Sequence, residues 1–466
     1  MVYNVLDYGA IADGKSLSTK AVQKAIDQCS KNGGGIVQFS KGSYVLSTVL
    51  LKNNVTINIP KGTEILGAES YYDYRQEEKI DYPIYQDSSH TYYNPSMFLG
   101  IDCKNIIITG GGVIDMRSVW DEDGIRGEAI KHRGAKCIAL KNCQNVEISN
   151  LEIYNATDLA VYFAGCENLD IFGLKMRVYI DGISPDNSKN VKVHDCEIEA
   201  GDDAIVFKSS YTLNRLDICK NIRVWNCKLK SRCCAIKFGT ETNGGFENIE
   251  IENIKIKETR ITGIAIESVD GAVVDGITIK NVTMKNVNAP IFIHIGRRMR
   301  GPAGREIGKI KNILLENILA EGPYEPYEII AWNYFAYKSN DFYQEPWSFG
   351  IAESFDDTEE NNTAESDWQM TSNICGVEES PLENIVLKNV HLKLDGGVKA
   401  YKKEVPEQPI CDYPEVFVYG RILPAKGIYF RHINGLIIDN VTVETYRPDK
   451  REDFVYEDVN GFAKIR

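Results

Sequence analysis

Short runs in which apolar and polar residues alternate recur along most of the chain. Val191 and Val193 in one run, and Ile249 and Ile251 in another, are typical pairs. An alternation with period two is typical of β-strands that bury one face, and after the N-terminal region no helical pattern separates the runs. The pattern therefore predicts an all-β chain and excludes a doubly wound α/β sheet.

Most runs begin at the same kind of polar position. An asparagine, or in two copies a glycine, precedes the alternation at Asn105, Asn145, Asn168, Asn190, Asn221, Asn248, Gly276, Asn312, Asn384 and Gly435. The copies at Asn145, Asn168 and Asn190 are 23 and 22 residues apart, enough for a coil of three short strands that buries its apolar face only against its neighbours. Asparagine tolerates the left-handed conformation of a turn and can hydrogen-bond to its counterpart in the next coil. The repeat predicts a parallel β-helix solenoid that forms a single domain over residues 1–466.

One helix and two interruptions stand out from the repeat. Residues 18–32 have an apolar face with helical spacing and end at Gly33, so we expect a helix that covers the open edge of the first coil. Residues 68–98 are rich in tyrosine and residues 323–380 carry Trp332, Trp347 and Trp368. Both segments are predicted to be long loop insertions.

Charge and composition limit the partners of the chain. A net charge of -13 excludes nucleic acid and anionic membranes as main partners, and no apolar run approaches the ~20 residues of a membrane span. The segment Met1–Val5 lacks the basic and apolar regions of a signal peptide, so we expect a cytoplasmic protein, or a secreted one if a leader has been removed. A monomer and a homo-oligomer both fit the sequence.

The 12 cysteines are predicted to be reduced. Several lie inside predicted strands, where a free cysteine packs as a small apolar residue. The adjacent pair Cys233 and Cys234 lacks the spacing of a zinc site. We predict neither a metal nor a cofactor.

Three aspartates are the strongest candidates for chemistry. Asp202 and Asp203 follow Asp181 by 21 and 22 residues, which is one coil, and stacked strands lie ~4.8 Å apart. Clustered carboxylates repel one another, so at least one pKa rises and that group can hold a proton. Glycoside hydrolysis needs such a set, with one carboxylic acid for the leaving oxygen and one carboxylate for water. Alternatively, the aspartates only form turns or bind a cation such as Ca²⁺.

Several motifs resemble those of the polygalacturonase family, family 28 of the glycoside hydrolases. They are the segments 181–190 and 201–208, together with 7–14, 110–115 and 239–245. The resemblance implies a right-handed parallel β-helix and hydrolysis of pectic glycans with inversion. It makes Asp202 the general acid, while Asp181 and Asp203 orient the attacking water.

The chain departs from the family at three motifs. The family's Asn-Thr-Asp is Tyr179-Ile180-Asp181 here, its Gly-His-Gly is Cys233-Cys234-Ala235, and its Arg-Ile-Lys is Ala265-Ile266-Glu267. In the family that arginine and lysine hold the carboxylate of the substrate's uronate. Without them a substrate carboxylate beside three aspartates is electrostatically costly. Either the bound sugar is neutral or differently charged, or other cations replace the missing pair.

Six further residues are candidates for substrate binding. Lys208, Lys237 and Arg297 are candidates for the replacement cations, and the alternative for each is a solvated surface position. Glu241 is a candidate to bind sugar hydroxyls or a turn residue. Glu267 is a further acid or, as we favour, the partner of a nearby cation. His294 is a base or, as we favour, a half-buried structural histidine. The tryptophans of residues 323–380 either stack on sugar rings or pack beneath the loop.

Three functions fit these observations. The first is a glycoside hydrolase that inverts the anomeric centre of pectin-related or similar poly- or oligosaccharides. The second is a polysaccharide lyase, which forms an unsaturated product that absorbs in the ultraviolet and loses activity with a chelator. The third is a β-helix that binds glycans without cleaving them.

Overall fold

A computed structural model describes residues 1–86, 89–120, 133–322, 369–399, 401, 403–407 and 413–465. The chain divides into two units, Met1–Cys227 and Lys228–Arg466. Among the described residues, most of the regular secondary structure in each unit is β-strand. That residues 1–466 form one domain remains a prediction.

In its described residues the first unit contains 21 strands and one α-helix. The helix is α1 (Thr19–Lys31), and the strands are β1 (Val2–Asn4), β2 (Asp13–Leu17), β3 (Gly35–Gln38), β4 (Gly42–Leu46), β5 (Val49–Leu50), β6 (Val55–Asn58), β7 (Thr63–Gly67), β8 (Ser96–Ile101), β9 (Lys104–Thr109), β10 (Val113–Asp115), β11 (Lys136–Lys141), β12 (Gln144–Ser149), β13 (Glu152–Tyr154), β14 (Val161–Ala164), β15 (Glu167–Phe172), β16 (Lys175–Val178), β17 (Ile183–Asp186), β18 (Lys189–His194), β19 (Glu197–Ala200), β20 (Ile205–Ser209) and β21 (Ile218–Trp225). Short 3-10 helices lie at Val5–Tyr8 and Tyr71–Asp73.

The strands of the first unit stack in parallel, and from β6 to β21 each pairs with the strand three places earlier. Thus β11 pairs with β8 and β14, β12 with β9 and β15, and β13 with β10 and β16. The register places Leu169 between Val146 and Val191, and all three side chains are buried. Apolar residues from successive coils therefore stack along the core, as expected of a solenoid. The predicted parallel β-helix is confirmed.

The recurring asparagines have the predicted left-handed conformation, although Asn145, Asn168 and Asn190 are each the second residue of a strand, where the coil turns. Asn168 has a φ of 60°, a left-handed conformation that asparagine and glycine adopt more readily than other residues. Its Nδ2 donates to Oδ1 of Asn145 at 3.1 Å, and Asn190 donates to Asn168 at 3.1 Å. Each turn is thereby hydrogen-bonded to the turn of the coil before it.

The N-terminal helix is also confirmed. In α1 the buried residues are the predicted apolar ones, Ala21, Val22, Ala25, Ile26 and Cys29. They face β1, β3, β5 and β6 of the first coils. The chain leaves the helix through Gly33 and Gly34, whose φ values of 88° and 114° favour glycine.

The described part of the second unit contains nine strands, three of which are 23 or 24 residues long. They are β22 (Lys228–Ser231), β23 (Cys234–Thr242), β24 (Gly245–Ser268), β25 (Val273–Ile295), β26 (Lys309–Glu321), β27 (Ser372–Cys375), β28 (Leu382–Gly396), β29 (Ala425–Arg447) and β30 (Glu452–Lys464). Parallel pairing runs from β24 through β25, β26 and β28 to β29 and β30. A second asparagine series, Asn281, Asn317 and Asn389, is hydrogen-bonded here at 2.9 and 3.0 Å.

The two loop predictions have different outcomes. Residues 68–95 connect β7 to β8 with only one 3-10 turn among the described residues, so this loop is confirmed except that β8 begins at Ser96. The loop predicted at 323–380 extends too far, because Ser372–Cys375 forms β27 between β25 and β29. Two of its four buried residues are polar. The sequence therefore lacks the alternation of apolar and polar residues that would predict this strand. Trp332, Trp347 and Trp368 lie outside the described residues.

All eleven cysteines in the described residues are buried and carry no disulfide. In the same residues no helix has the length and apolar character needed to cross a membrane.

Candidate active site

The three aspartates come together at the turns that precede two stacked strands of the first unit. Asp181 lies just before β17, and Asp202 and Asp203 lie between β19 and β20. The strands β17 and β20 pair in parallel, and the Gly182 N–H donates to the Asp203 carbonyl at 2.9 Å. One carboxylate oxygen from each of the three aspartates lies within 4.8 Å of the others. The predicted one-coil geometry is confirmed, and we call this cluster the acidic centre.

Two glycines of the motif allow this close stacking. A Cβ atom on Gly201 would lie 2.2 Å from the Tyr179 carbonyl oxygen, and one on Gly182 would lie 2.5 Å from that of Ala204. Any larger residue at either position would push the two turns apart. The glycines therefore set the distance between the carboxylates.

The three carboxylates differ in exposure. Asp181 and Asp203 are 3 % and 4 % exposed, whereas the Asp202 side chain is 35 % exposed. The backbone N–H of Asp203 donates to Asp181 Oδ1 at 3.3 Å. Asp202 is thus the carboxylate that a ligand reaches first, while the other two lie beneath it.

The electrostatics of the acidic centre favour a bound proton. Burial raises the pKa of Asp181 well above its usual range; Lys208 opposes this rise, and the charges of Asp202 and Asp203 add to it. The ammonium of Lys208 lies 3.9 Å from Asp181 Oδ2. Since the carboxylates interact, the proton belongs to the cluster rather than to one residue. The centre can therefore supply a proton and a carboxylate together.

Lys208, a candidate for a replacement cation, lies beside Asp181, and the alternative of a solvated surface position is wrong. The residue is buried in β20. Its position next to Asp181 makes it part of the acidic centre.

Arg133 is a further cation at the acidic centre, and the sequence analysis missed it. Its Nη2 lies 4.0 Å from Asp202 Oδ2 and its Nη1 lies 3.9 Å from Asp158 Oδ1. Asp158 is fully buried, accepts from Ser89 Oγ and lies 3.2 Å from the Lys136 ammonium. The coil period could have revealed this network, because Asp158 precedes Asp181 by 23 residues, one coil.

A separate ionic cluster lies inside the second unit. The Lys237 ammonium lies 3.7 Å from Glu267 Oε1 and is hydrogen-bonded to Glu415, and all three side chains are buried. The Cys234 thiol also donates to Glu415, at 3.6 Å. The favoured pairing of Glu267 with a cation is confirmed, and the solvated alternative for Lys237 is wrong. Glu415 was missed because no motif surrounds it.

The other three candidates have partners of their own in the second unit. Glu241 is buried, with Oε1 3.8 Å from Arg300 Nη2. Arg297 Nη2 lies 2.5 Å from Glu379 Oε2. His294, expected to be half-buried, is completely buried. The structure therefore brings Lys237 together with Glu267 and places Glu241 and Arg297 in ion pairs.

His294 lies between aromatic rings. It stacks on Phe292 with ring centroids 5.5 Å apart, and it meets Tyr419 edge-on at 5.6 Å. Burial, and then the charge of Arg297, lower the pKa of His294 to about 3. The imidazole is therefore neutral at physiological pH.

The sequence matches a known family over more than half of its length. Residues 51–325 match the model of "Glycosyl hydrolases family 28". The chain is similar to a probable polygalacturonase of Vitis vinifera, with 25 % identity over 262 residues that cover 53 % of each chain. It is also similar to the exo-poly-alpha-D-galacturonosidase of Dickeya chrysanthemi, with 25 % identity over 297 residues that cover 53 % of this chain and 49 % of that one. The chain thus spans about half the length of these curated relatives.

The fold is similar to that of solved structures. An exopolygalacturonase from Thermotoga maritima superimposes with a TM-score of 0.64 over 84 % of this chain and 87 % of that one. The sequence identity is 18 %, so this likeness concerns the fold.

Proposed function

Since the chain belongs to family 28 of the glycosyl hydrolases, we propose that it hydrolyses glycosidic bonds in pectin-related or similar poly- or oligosaccharides. The observation that carries the proposal is the acidic centre, in which an exposed Asp202 lies over two buried aspartates with their nearest oxygens within 4.8 Å. The two curated relatives described above are named for polygalacturonase-type activities, which supports an acidic pectic substrate.

The proposed mechanism gives each aspartate one role. Asp202, the exposed carboxyl, donates its proton to the glycosidic oxygen as the C–O bond breaks. Asp181 and Asp203 orient a water molecule, whose oxygen bonds to the anomeric carbon while one carboxylate takes its proton. The proton then returns through the cluster to Asp202 before the next turnover.

The spacing of the carboxylates favours a second candidate for the stereochemistry. Inverting glycosidases usually separate their two carboxyl groups by ~6.5–9.5 Å, and retaining enzymes by ~5–5.5 Å. The oxygens of the acidic centre lie within 4.8 Å, close to the retaining range, in which a carboxylate attacks the sugar directly. We propose inversion because of the resemblance to the family.

The test is to incubate the protein with a panel of pectic and neutral glycans. Cleavage is measured by the release of reducing ends, and proton NMR identifies the anomer that forms first. We expect cleavage with the inverted anomer predominating before mutarotation. The retained anomer would establish the second mechanism. An unsaturated product that absorbs in the ultraviolet would indicate a lyase instead, and glycan binding without any product would indicate a binding protein.

A pair of variants tests the role of Asp202. Asp202→Asn should lower kcat by roughly 10²–10⁴-fold, the usual contribution of a general acid. The matched control is Asp195→Asn, since Asp195 is exposed in the same unit and lies outside the acidic centre. Full activity of Asp202→Asn on a cleaved glycan would exclude Asp202 as the acid.

A further inference from the structure

Two cations of the described residues, Lys208 and Arg133, lie beside the acidic centre in different surroundings. Lys208 lies beside the buried Asp181, and its own side chain is 7 % exposed. Arg133 lies beside the exposed Asp202, and its side chain is 18 % exposed. A sugar that approaches Asp202 therefore comes closer to the guanidinium of Arg133 than to the deeper ammonium of Lys208.

The guanidinium of Arg133 is held in place by a second carboxylate, that of the buried Asp158. Its Nη1 lies 3.9 Å from Asp158, and that carboxylate is already balanced by the Lys136 ammonium at 3.2 Å. Lys136 also donates to Ser89 Oγ at 2.7 Å and to the Tyr92 carbonyl at 2.9 Å, so this support is buried and fixed. Rigid support of this kind preorganises a binding group. Asp158 and its buried partners thus help to hold the guanidinium of Arg133 beside Asp202.

The charges of the acidic centre show why this cation matters for an acidic sugar. With one proton bound, the three aspartates carry two negative charges, which Lys208 and Arg133 balance. A substrate carboxylate then adds one negative charge to a neutral centre. Without Arg133 it would enter a centre that is already negative. Where the resemblance to the polygalacturonase family leads us to expect an arginine and a lysine, this chain has Ala265 and Glu267.

We infer that Arg133 binds the carboxylate of an acidic sugar beside Asp202 and so determines the specificity of the chain for uronate-containing glycans. The planar guanidinium presents two N–H donors in parallel, which matches a carboxylate better than an ammonium does. The inference rests on the proposed hydrolytic function and adds the substrate class and the residue that recognises it.

The experiment compares trigalacturonate with its methyl ester, in which the carboxylates are neutral. Arg133→Ala should lower kcat/KM for the acid by roughly ten- to a hundredfold, the effect of losing charge-assisted hydrogen bonds, and change that for the ester little. Arg133→Lys should recover part of the loss. The control is Arg117→Ala, since Arg117 is 22 % exposed in the same unit and pairs with Glu69 at 3.3 Å; it should leave both substrates unchanged.

A binding measurement separates this inference from the proposed function. Calorimetry measures the binding of trigalacturonate to two proteins, Asp202→Asn and the double variant Asp202→Asn/Arg133→Ala. The double variant should bind the sugar more weakly. This comparison holds whether or not either protein still cleaves trigalacturonate. Equal binding would overturn the inference, and so would an equal fall in kcat/KM for acid and ester. Retention of full activity by Asp202→Asn would overturn the proposed mechanism and leave the binding comparison valid.

Discussion

The ammonium of Lys208 lies 3.9 Å from the carboxylate of Asp181, and both side chains are buried. Lys208 is part of β20, which pairs in parallel with β17, the strand that begins two residues after Asp181. Burial raises the pKa of Asp181 and the charge of Lys208 lowers it. Lys208 therefore sets how readily Asp181 ionises.

Replacement of Lys208 should change the pH dependence of the reaction. In Lys208→Met the pKa of Asp181 rises further, because the opposing positive charge is lost. Under the proposed mechanism Asp181 accepts a proton from water and must be ionised, so the acidic limb of the profile of kcat/KM against pH should move to higher pH. Lys208→Arg keeps the charge and should keep the limb near its original position. An unmoved limb in Lys208→Met would show that Asp181 is not the base.

The asparagine series should contribute to stability through both backbone and side chain. Asn168→Ala removes two hydrogen bonds and forces alanine into a φ of 60°, which should cost about 2 kcal/mol in total. Asn168→Gly also removes the hydrogen bonds, but glycine adopts this φ without strain. The loss of stability should therefore be about half that of Asn168→Ala. Hydrogen exchange of β12, β15 and β18, followed by mass spectrometry, measures the effect. Equal exchange in the two variants would mean that the left-handed backbone contributes nothing.

The fold could be predicted because its determinants are local and repeated. The alternation in each strand and the asparagine at each turn recur with nearly constant spacing, and glycine takes the same position at Gly276 and Gly435 with φ values of 72° and 87°. The acidic centre could be predicted for the same reason, because one coil separates Asp181 from Asp202 and Asp203. Strand β27 was not visible, because it buries polar residues and so lacks the alternation.

The rest of the site depends on the path of the chain rather than on spacing. Glu415 is hydrogen-bonded to Lys237 across 178 residues of sequence, and no repeat connects the two. Arg133 lies beside Asp202 after a separation of several coils, in a segment without the asparagine pattern. The burial of Lys208 and Lys237 could not be predicted from the sequence either, because a charged side chain is expected in solvent unless its partner is known.

The buried cluster of the second unit should be far more sensitive to loss of its cation than to loss of one acid. Lys237→Met leaves Glu267 and Glu415 buried without the charge between them, which should destabilise the protein by about 3–5 kcal/mol. Glu415→Gln leaves the Lys237–Glu267 pair and should cost less. Thermal unfolding compares the variants. The control is Lys230→Met, since Lys230 forms a partly exposed pair with Glu258 and should contribute no more than about 1 kcal/mol. Similar effects of Lys237→Met and Lys230→Met would contradict this prediction.

Buried His294 should make stability depend on pH. Its pKa is about 3 in the folded protein and about 6.5 in an unfolded chain. Above pH 6.5 both states are neutral; as the pH falls, the unfolded chain takes up the proton first, so the folded state loses stability between about pH 6.5 and pH 3. The loss should reach about 3 kcal/mol by pH 4.5.

His294→Phe tests this, because phenylalanine can keep the contact with Phe292 and cannot be protonated. The other titrating groups are common to both proteins, so the difference in Tm between wild type and variant isolates His294. Between pH 7.5 and pH 4.5 the wild type should lose more stability than His294→Phe, whereas between pH 8.5 and pH 7.5 the difference in Tm should stay constant. Parallel losses over the acid range would show that the imidazole becomes protonated in the folded state, contrary to its burial.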